Sequence, residues 1–454
     1  MVKIGAVADD LTGATTTGVL LARSGARTVA FFNVEAIANG KGEEHFDAMI
    51  VSSNSRPLTK EEAYEKVKAG ICALKKMGIK YFSKRIDTTM RGGIGVEIDA
   101  MLDQLPEDTI AIVVPAMPQS RRVLVGGFSI IDGVPLIRTP VAQDVRTPVY
   151  ENYIPKLIAK QTGRQVGNIT LDTVIKGEKT IRDTLVSHRS NGAEVIVIDA
   201  VSIEDIEEIA KACVNLDWNV LAVDPGAFTA KLAYYRGIIK QEMPNLPPDH
   251  IEEPKEKTVL IFAGSATSVT KKQMEVLCED QRHHWISLDP LLLLDGGEQG
   301  IKEIARAVEK TKEIMKVKPR AILYETALHG IILDLEEQDK SRGYASGFSA
   351  ERINAAIGML ASRLLEELDI DSIAGLYTTG GDTMVNVCYQ LGVQSIELID
   401  YIIPQTDIGR ISGKYEGMII VGKGGLTGTE KTSLDIVERI LKESARCMGQ
   451  RGYS

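Results

Sequence analysis

Cysteine is sparse in this 454-residue chain: Cys72, Cys213, Cys278, Cys388 and Cys447 are scattered, odd in number and free of any CxxC or Cys/His pairing. A disulfide framework and a structural zinc site are thereby excluded as the basis of the fold, and a reducing compartment is the simplest setting. Aromatic residues make up only 5% of the chain, and the six histidines follow no pattern. His283 and His284 open a strand candidate, and His329 is a minor candidate for a nucleotide contact. No stretch approaches the ~18 apolar residues of a membrane helix. The first apolar run is cut short by Asp9 and Asp10, so it does not read as a secretory leader. A cytoplasmic protein without membrane partners is expected. A basic excess is also missing: the net charge of −9 speaks against nucleic acid, whose phosphates require a basic surface. Neither GxGxxG nor a Walker A pattern occurs. Their absence argues against a standard dinucleotide fold, and so an NAD-dependent dehydrogenase, and against a standard P-loop.

What is present is ordinary in bulk, with 44% apolar and 25% charged residues. At ~150 residues per domain the length requires two or three cores. Short runs rich in Val and Ile predict strands at 2–8, 27–33, 47–52, 79–83, 110–114, 194–198 and 219–223. A second series follows at 258–263, 283–288, 320–324, 373–378, 395–399 and 417–421. Amphipathic spacing predicts helices between them, at 60–77, 203–215, 301–315 and 349–368 among others. Continuous apolar strands separated by helices imply parallel sheets covered on both faces, an α/β fold. Residues 242–258 hold four prolines and a charge cluster, the composition of a linker. The expected architecture is two domains, 1–241 and 258–454, joined by a linker at 242–257. Each is a mostly parallel sheet flanked by helices, with an inter-domain cleft as the place for a small-molecule site.

Four polar clusters sit where first-half strands should end: "ADDLTGA" (8–14), "SSNSR" (52–56), "SKRIDTTMRGG" (83–93) and "PAMPQSRR" (115–122). Ligands collect outside the carboxyl ends of strands in open parallel sheets, so all four should share one rim. They supply Asp9, Asp10, Arg56, Lys84, Arg85, Asp87, Arg91, Arg121 and Arg122. Arginine forks bind carboxylate or phosphate, and loop carboxylates orient hydroxyls or hold a metal. An anionic, polyhydroxylated small molecule fits this rim. The structural alternatives are a helix N-cap at Asp10 and solvated surface for the cations. In the second half, "AGSATSVT" (263–270), "TTGGDTM" (378–384) and "VGKGGLTG" (421–428) each follow a strand candidate. Glycine and hydroxyl groups beside a helix N-terminus favour phosphate oxygens; tight turns with left-handed glycines are the alternative.

Together these motifs resemble the four-carbon acid sugar kinases, across essentially the whole chain. The family's ADD-x-TGA element is similar to Ala8–Ala14, its S/T-x-S-R element to Ser53–Arg56, and its K-x-D-S-T-x-R-G element, offset by one at the lysine, to Lys84–Gly92. The glycine-serine turn is similar to Gly264-Ser265, GG-[DE]-T to Gly380–Thr383, and K-x-G-x-x-G to Lys423–Gly428. The chain departs from the family at Thr16, where aspartate is common, and at Arg121, where glycine precedes the arginine. It also lacks the Asn-Phe pair of the last turn. The resemblance implies a phosphotransferase with an alcohol group as acceptor, using ATP and Mg2+. Its substrate would be a tetronate-type acid such as threonate, erythronate or 3-oxo-tetronate, phosphorylated on the terminal hydroxyl. Residues 1–241 would bind the sugar acid and 258–454 the nucleotide, with a homodimer as the candidate assembly. Asp9, Asp10, Arg56, Lys84, Asp87, Arg91 and Arg122 would bind the acid, with Asp10 or Asp87 orienting or deprotonating the hydroxyl. Ser265, Gly380, Gly381, Asp382, Thr383, Gly424 and Gly425 would bind ATP, and Asp382 would also hold the metal. A non-catalytic two-domain sensor of sugar acids is the alternative from a different class.

Overall fold

The computed structural model describes residues 3–39, 45–144, 147–239, 254, 256–328 and 332–451. Most of the expected 242–257 linker, and His329, lie outside the described residues. The chain divides into two compact units, Met1–Pro244 with Glu397–Asp400, and Asn245–Ile396 with Tyr401–Ser454.

The first unit contains β1 (Ile4–Ala8), β2 (Thr28–Phe31), β3 (Ala48–Ser52), β4 (Tyr81–Arg85), β5 (Ile110–Val113), β6 (Arg122–Val125), β7 (Phe128–Ile131), β8 (Val134–Pro135), β9 (Val166–Ile169), β10 (Val195–Ile198) and β11 (Val220–Asp224). Eight of these run in the order β2-β3-β1-β4-β11-β5-β10-β9, and each pair is parallel. The strands are apolar on both faces because both are covered. On β10, Val195 and Val197 join one buried cluster while Ile196 and Ile198 join another; Val113 and Ile112 of β5 divide in the same way. Helices close the two faces, among them Lys60–Lys76, opened by a Thr59/Glu62 capping box, and Ile203–Asn215.

A small antiparallel sheet, β6-β7-β8, is the part the apolar pattern does not predict. Its signal is in the turns. Gly126-Gly127 and Asp132-Gly133 each have two positive φ angles, 60° and 78°, then 50° and 81°. These are two-residue hairpin turns whose twist matches that of the strands they join.

The second unit contains β12 (Thr258–Ala263), β13 (His283–Ser287), β14 (Ala321–Glu325), β15 (Ile373–Thr379), β16 (Ser395–Ile403), β17 (Thr406–Ile411) and β18 (Ile419–Lys423). The order is β13-β14-β12-β15-β18-β17-β16. Pairing is parallel from β13 to β18, and β17 runs antiparallel to β18. The long helices Gly297–Met315 and Phe348–Glu367 match their expected spans to within four residues. Each unit is thus a mostly parallel α/β layer structure. Among the described residues, no helix is long and apolar enough to cross a membrane.

Candidate active site

Parallel strands deliver their carboxyl ends to one edge, and register decides which ends are neighbours. In the first unit Ala8 of β1 pairs with Ser52 of β3 and Arg85 of β4, and Arg85 pairs with Asp224 of β11. The loops carrying Asp9-Asp10, Ser53–Arg56 and Asp87–Arg91 therefore emerge side by side.

Asp10 caps the helix Leu11–Arg23 by accepting the Gly13 N–H at 2.7 Å. The same carboxylate meets Arg85 Nη1 at 3.0 Å and Arg56 Nη1 at 2.8 Å, so it is both a cap and part of a charged corner. Glycine is required at position 13, where a Cβ would stand 2.0 Å from Arg85 Nη1. Asp9 is only 2% exposed and receives Arg56 Nε at 2.7 Å and Arg85 Nη1 at 2.8 Å on its two oxygens. Burial pushes its pKa up, but the charges of Arg56, Arg85 and Lys84 outweigh that and hold it at about 2.

Asp87 is buried and accepts Arg91 Nε at 2.6 Å together with the Thr89 hydroxyl, with Arg56 Nη2 at 3.9 Å. Burial again opposes ionisation, and Arg56 and Arg91 more than reverse it, keeping Asp87 well below the usual carboxylate range. Arg91 reaches on to Asp144 at 3.1 Å. Lys84 belongs to the layer beneath. It is fully buried, with Nζ 2.7 Å from Glu97 Oε2 and 2.7 Å from the Arg85 carbonyl, and Ser55 Oγ donates to Glu97 at 2.6 Å. Arg122 opens β6, and its Nη1 donates to the Ser120 carbonyl at 2.9 Å. Burial lowers its pKa, and the charge of Asp87 partly restores it. Arg122 Nε and Arg56 Nη2 are buried without a hydrogen-bond partner among the described residues. Arg85 Nε is a third, and unmatched guanidinium donors beside three carboxylates suit an anionic ligand that also carries hydroxyls.

In the second unit Ala263 of β12 pairs with Thr379 of β15, which pairs with Lys423 of β18. The three glycine turns follow these residues directly. A Cβ at Gly264 would lie 2.2 Å from Thr383 Oγ1, and one at Gly425 would lie 2.4 Å from Ser265 Oγ. The turns therefore touch only because they are glycine there. Thr383 Oγ1 donates to Asn354 at 2.7 Å, and Gly380, with φ of 106°, precedes the helix Gly381–Gln390. Asp382 is exposed in the first turn of that helix. The last turn has its carbonyls tied down: Gly425 O accepts Thr267 Oγ1 at 2.6 Å and Thr270 Oγ1 at 3.0 Å. Thr427 O and Thr429 O accept Gln273 Nε2 at 3.0 and 2.9 Å. The Gly425 and Leu426 amides have no hydrogen-bond partner among the described residues. Free N–H groups, a helix N-terminus and the Ser265 hydroxyl make a donor set for phosphate.

Residues 4–232 match a family model described as a sugar-binding N-terminal domain, and residues 260–432 match a nucleotide-binding C-terminal domain. A D-erythronate kinase of Heliobacterium modesticaldum is 33% identical over 441 residues, 96% of each chain. The chain belongs to the four-carbon acid sugar kinase family. A D-threonate kinase of Salmonella typhimurium is 28% identical across 95% of this chain and 97% of that protein. In fold, a solved Haemophilus influenzae protein superposes with a TM-score of 0.72 at 22% identity, over 98% of this chain and 99% of that one.

The acid sugar kinase motifs fall into two clusters. Asp9, Asp10, Arg56, Asp87 and Arg91 share one ion-pair network with Arg85, with Lys84 under it and Arg122 at its margin. Ser265, Gly380–Thr383 and Gly424-Gly425 belong to the three adjoining turns of the second unit. Glu97, Asp144, Gln273 and Asn354 are additions the motifs do not announce, whereas Thr267 and Thr270 lie in the 263–270 stretch. Glu97 leaves only a faint trace in the sequence, an acid flanked by Val96 and Ile98 in "IGVEIDAML". Arg121, where the family has glycine, holds a left-handed φ of 57°.

Proposed function

We propose that this chain transfers the γ-phosphoryl group of ATP to the terminal hydroxyl of a four-carbon sugar acid. The observation that carries the reading is the corner of Asp9, Asp10 and Asp87 set against Arg56, Arg85 and Arg91, with guanidinium donors left over. Such a corner supplies opposite needs of one molecule: donors for a carboxylate and acceptors for hydroxyls.

Arg56, Arg91 and Arg122 hold the carboxylate of the acid, and Asp10 and Asp87 fix its hydroxyls. Asp10 accepts the proton of the attacking hydroxyl, because Asp87 is enclosed by Arg91, Thr89 and Arg56 and its basicity is suppressed. Asp9 and Lys84 act from behind, Asp9 by aligning Arg56 with Arg85 and Lys84 by anchoring Glu97. In the second unit Ser265, Gly380–Thr383, Gly424 and Gly425 cradle the phosphates of ATP. Mg2+ ordinarily takes one or two carboxylates plus phosphate oxygens and water. Asp382 fits that single-carboxylate share, and no cluster of three or more His, Cys, Asp and Glu able to hold a metal occurs among the described residues. Bound Mg2+ would neutralise charge on the transferring phosphate; the protein's share is positioning and electrostatic support.

An ADP-release assay across D- and L-threonate, D- and L-erythronate and their 3-oxo forms tests the reading. D-erythronate comes first because it is in the name of the 33% identical relative. ADP above the ATP-only background with at least one acid is the expected result. Release with none of them, alongside a thermal shift with an acid alone, would favour the sensor.

A further inference from the structure

The Gly424–Thr429 turn has a buried cation behind it that the motif roles leave unused. Lys423 closes β18 and is only 2% exposed. Its Nζ donates to the Gly424 carbonyl at 2.8 Å and the Thr427 carbonyl at 3.4 Å, both in the turn it precedes. Among the described residues no carboxylate oxygen lies within ion-pair distance of it. This differs from the first unit, where the buried Lys84 has Glu97 at 2.7 Å. An ammonium buried on carbonyls alone is costly, and the carbonyls it holds belong to the same turn as the unmatched Gly425 and Leu426 amides.

We propose that Lys423 supplies the positive charge against which the nucleotide's phosphates bind, while its hydrogen bonds hold the turn with its amide groups free. This rests on the nucleotide reading of the second unit. Two carbonyls use two of the three ammonium donors, so one donor and the whole charge remain for an anion. Lys423 is thus a positioning and charge-supplying residue of the turn.

The surroundings do not provide another partner. Its strand neighbours are Thr379 on β15 and Thr406 on β17, and Thr267, Thr270 and Gln273 face the turn from the Ser268–Cys278 helix and its cap. The charged residues on these elements are Asp407 and Arg410 on β17, Asp382 after β15, Lys271, Lys272 and Glu275 on the helix, and Glu430 and Lys431 beyond the turn. Burial draws the Lys423 pKa down to about 8. A bound polyphosphate would raise it again, so binding above that pH must take up a proton.

Calorimetric titration of the full chain with ADP tests the assignment without turnover. Wild type should bind ADP with an affinity that is level below about pH 8 and falls by up to tenfold per pH unit above it. Lys423→Met should weaken binding at pH 7 by about ten- to hundredfold and lose that alkaline slope, with Lys423→Arg keeping most of the affinity. The melting temperature of each variant without ADP reports separately whether it folds. Wild-type binding that is level to pH 9.5, or a Lys423→Met chain that binds within twofold of wild type, would overturn the assignment alone. No ADP binding by wild type at any pH would overturn the nucleotide reading, and this inference with it.

Discussion

Asp10 has the clearest test among single residues, because its two duties separate chemically. Asparagine caps helices about as well as aspartate, so Asp10→Asn keeps the bond to Gly13 and removes the charge facing Arg56 and Arg85. The expected outcome is a kcat lower by roughly 10²–10⁴, the usual worth of a general base, with a nearly unchanged melting temperature. Unchanged turnover, with activity abolished by Asp87→Asn, would move the role to Asp87. Lys84 gives a stability test instead. Lys84→Met strands Glu97 in the core and should cost about 3–5 kcal/mol in denaturant unfolding, whereas Lys84→Met with Glu97→Gln should recover much of the loss. These roles were only partly legible in the sequence. "ADDLTGA" announced a charged turn, but whether a residue faces ligand or core depends on register and burial, which motif spacing does not carry.

At the level of elements, the sheets were legible wherever a buried strand is an unbroken apolar run. β9 and β17 escaped because "VGNI" and "TDIGRI" carry glycine and polar residues, and the β6-β7-β8 sheet because its signal lies in hairpin turns. The glycine turns were legible as turns; their mutual contact was not. Gly425→Ala tests that contact, because the added Cβ would stand 2.4 Å from Ser265 Oγ. Serine can rotate away, so the fold should survive with a melting temperature within a few degrees of wild type. ADP affinity, read by calorimetry, should fall at least about tenfold, since Ser265 and the free amides could no longer meet one phosphate.

For the whole molecule, the buried Asp9 and Asp87 of the first unit carry a defined share of the acid limb of stability. Asp9 and Asp87 have folded pKa values below the unfolded carboxylate value near ~3.9. Their contribution is therefore complete above that value and lost as pH falls through the folded one. A melting temperature that is steady above about pH 4 and declines steeply from there toward pH 2 is expected in a thermal scan across pH. Asp9→Asn should flatten that decline. The division into a sugar-acid half and a nucleotide half came from the resemblance to the acid sugar kinases; the residues alone supplied charged strand ends in the first half and glycine-rich ones in the second. Which acid is used was not legible, since hydroxyl stereochemistry is read by side-chain positions that a motif leaves free. The central claim is phosphoryl transfer to a terminal hydroxyl, and phosphorus NMR of the product tests it most directly. With ATP, Mg2+ and the preferred acid, the account predicts a phosphate monoester on the terminal carbon, with one ADP formed per ester. An acid that binds and is recovered unphosphorylated, or is esterified at another carbon, would contradict it.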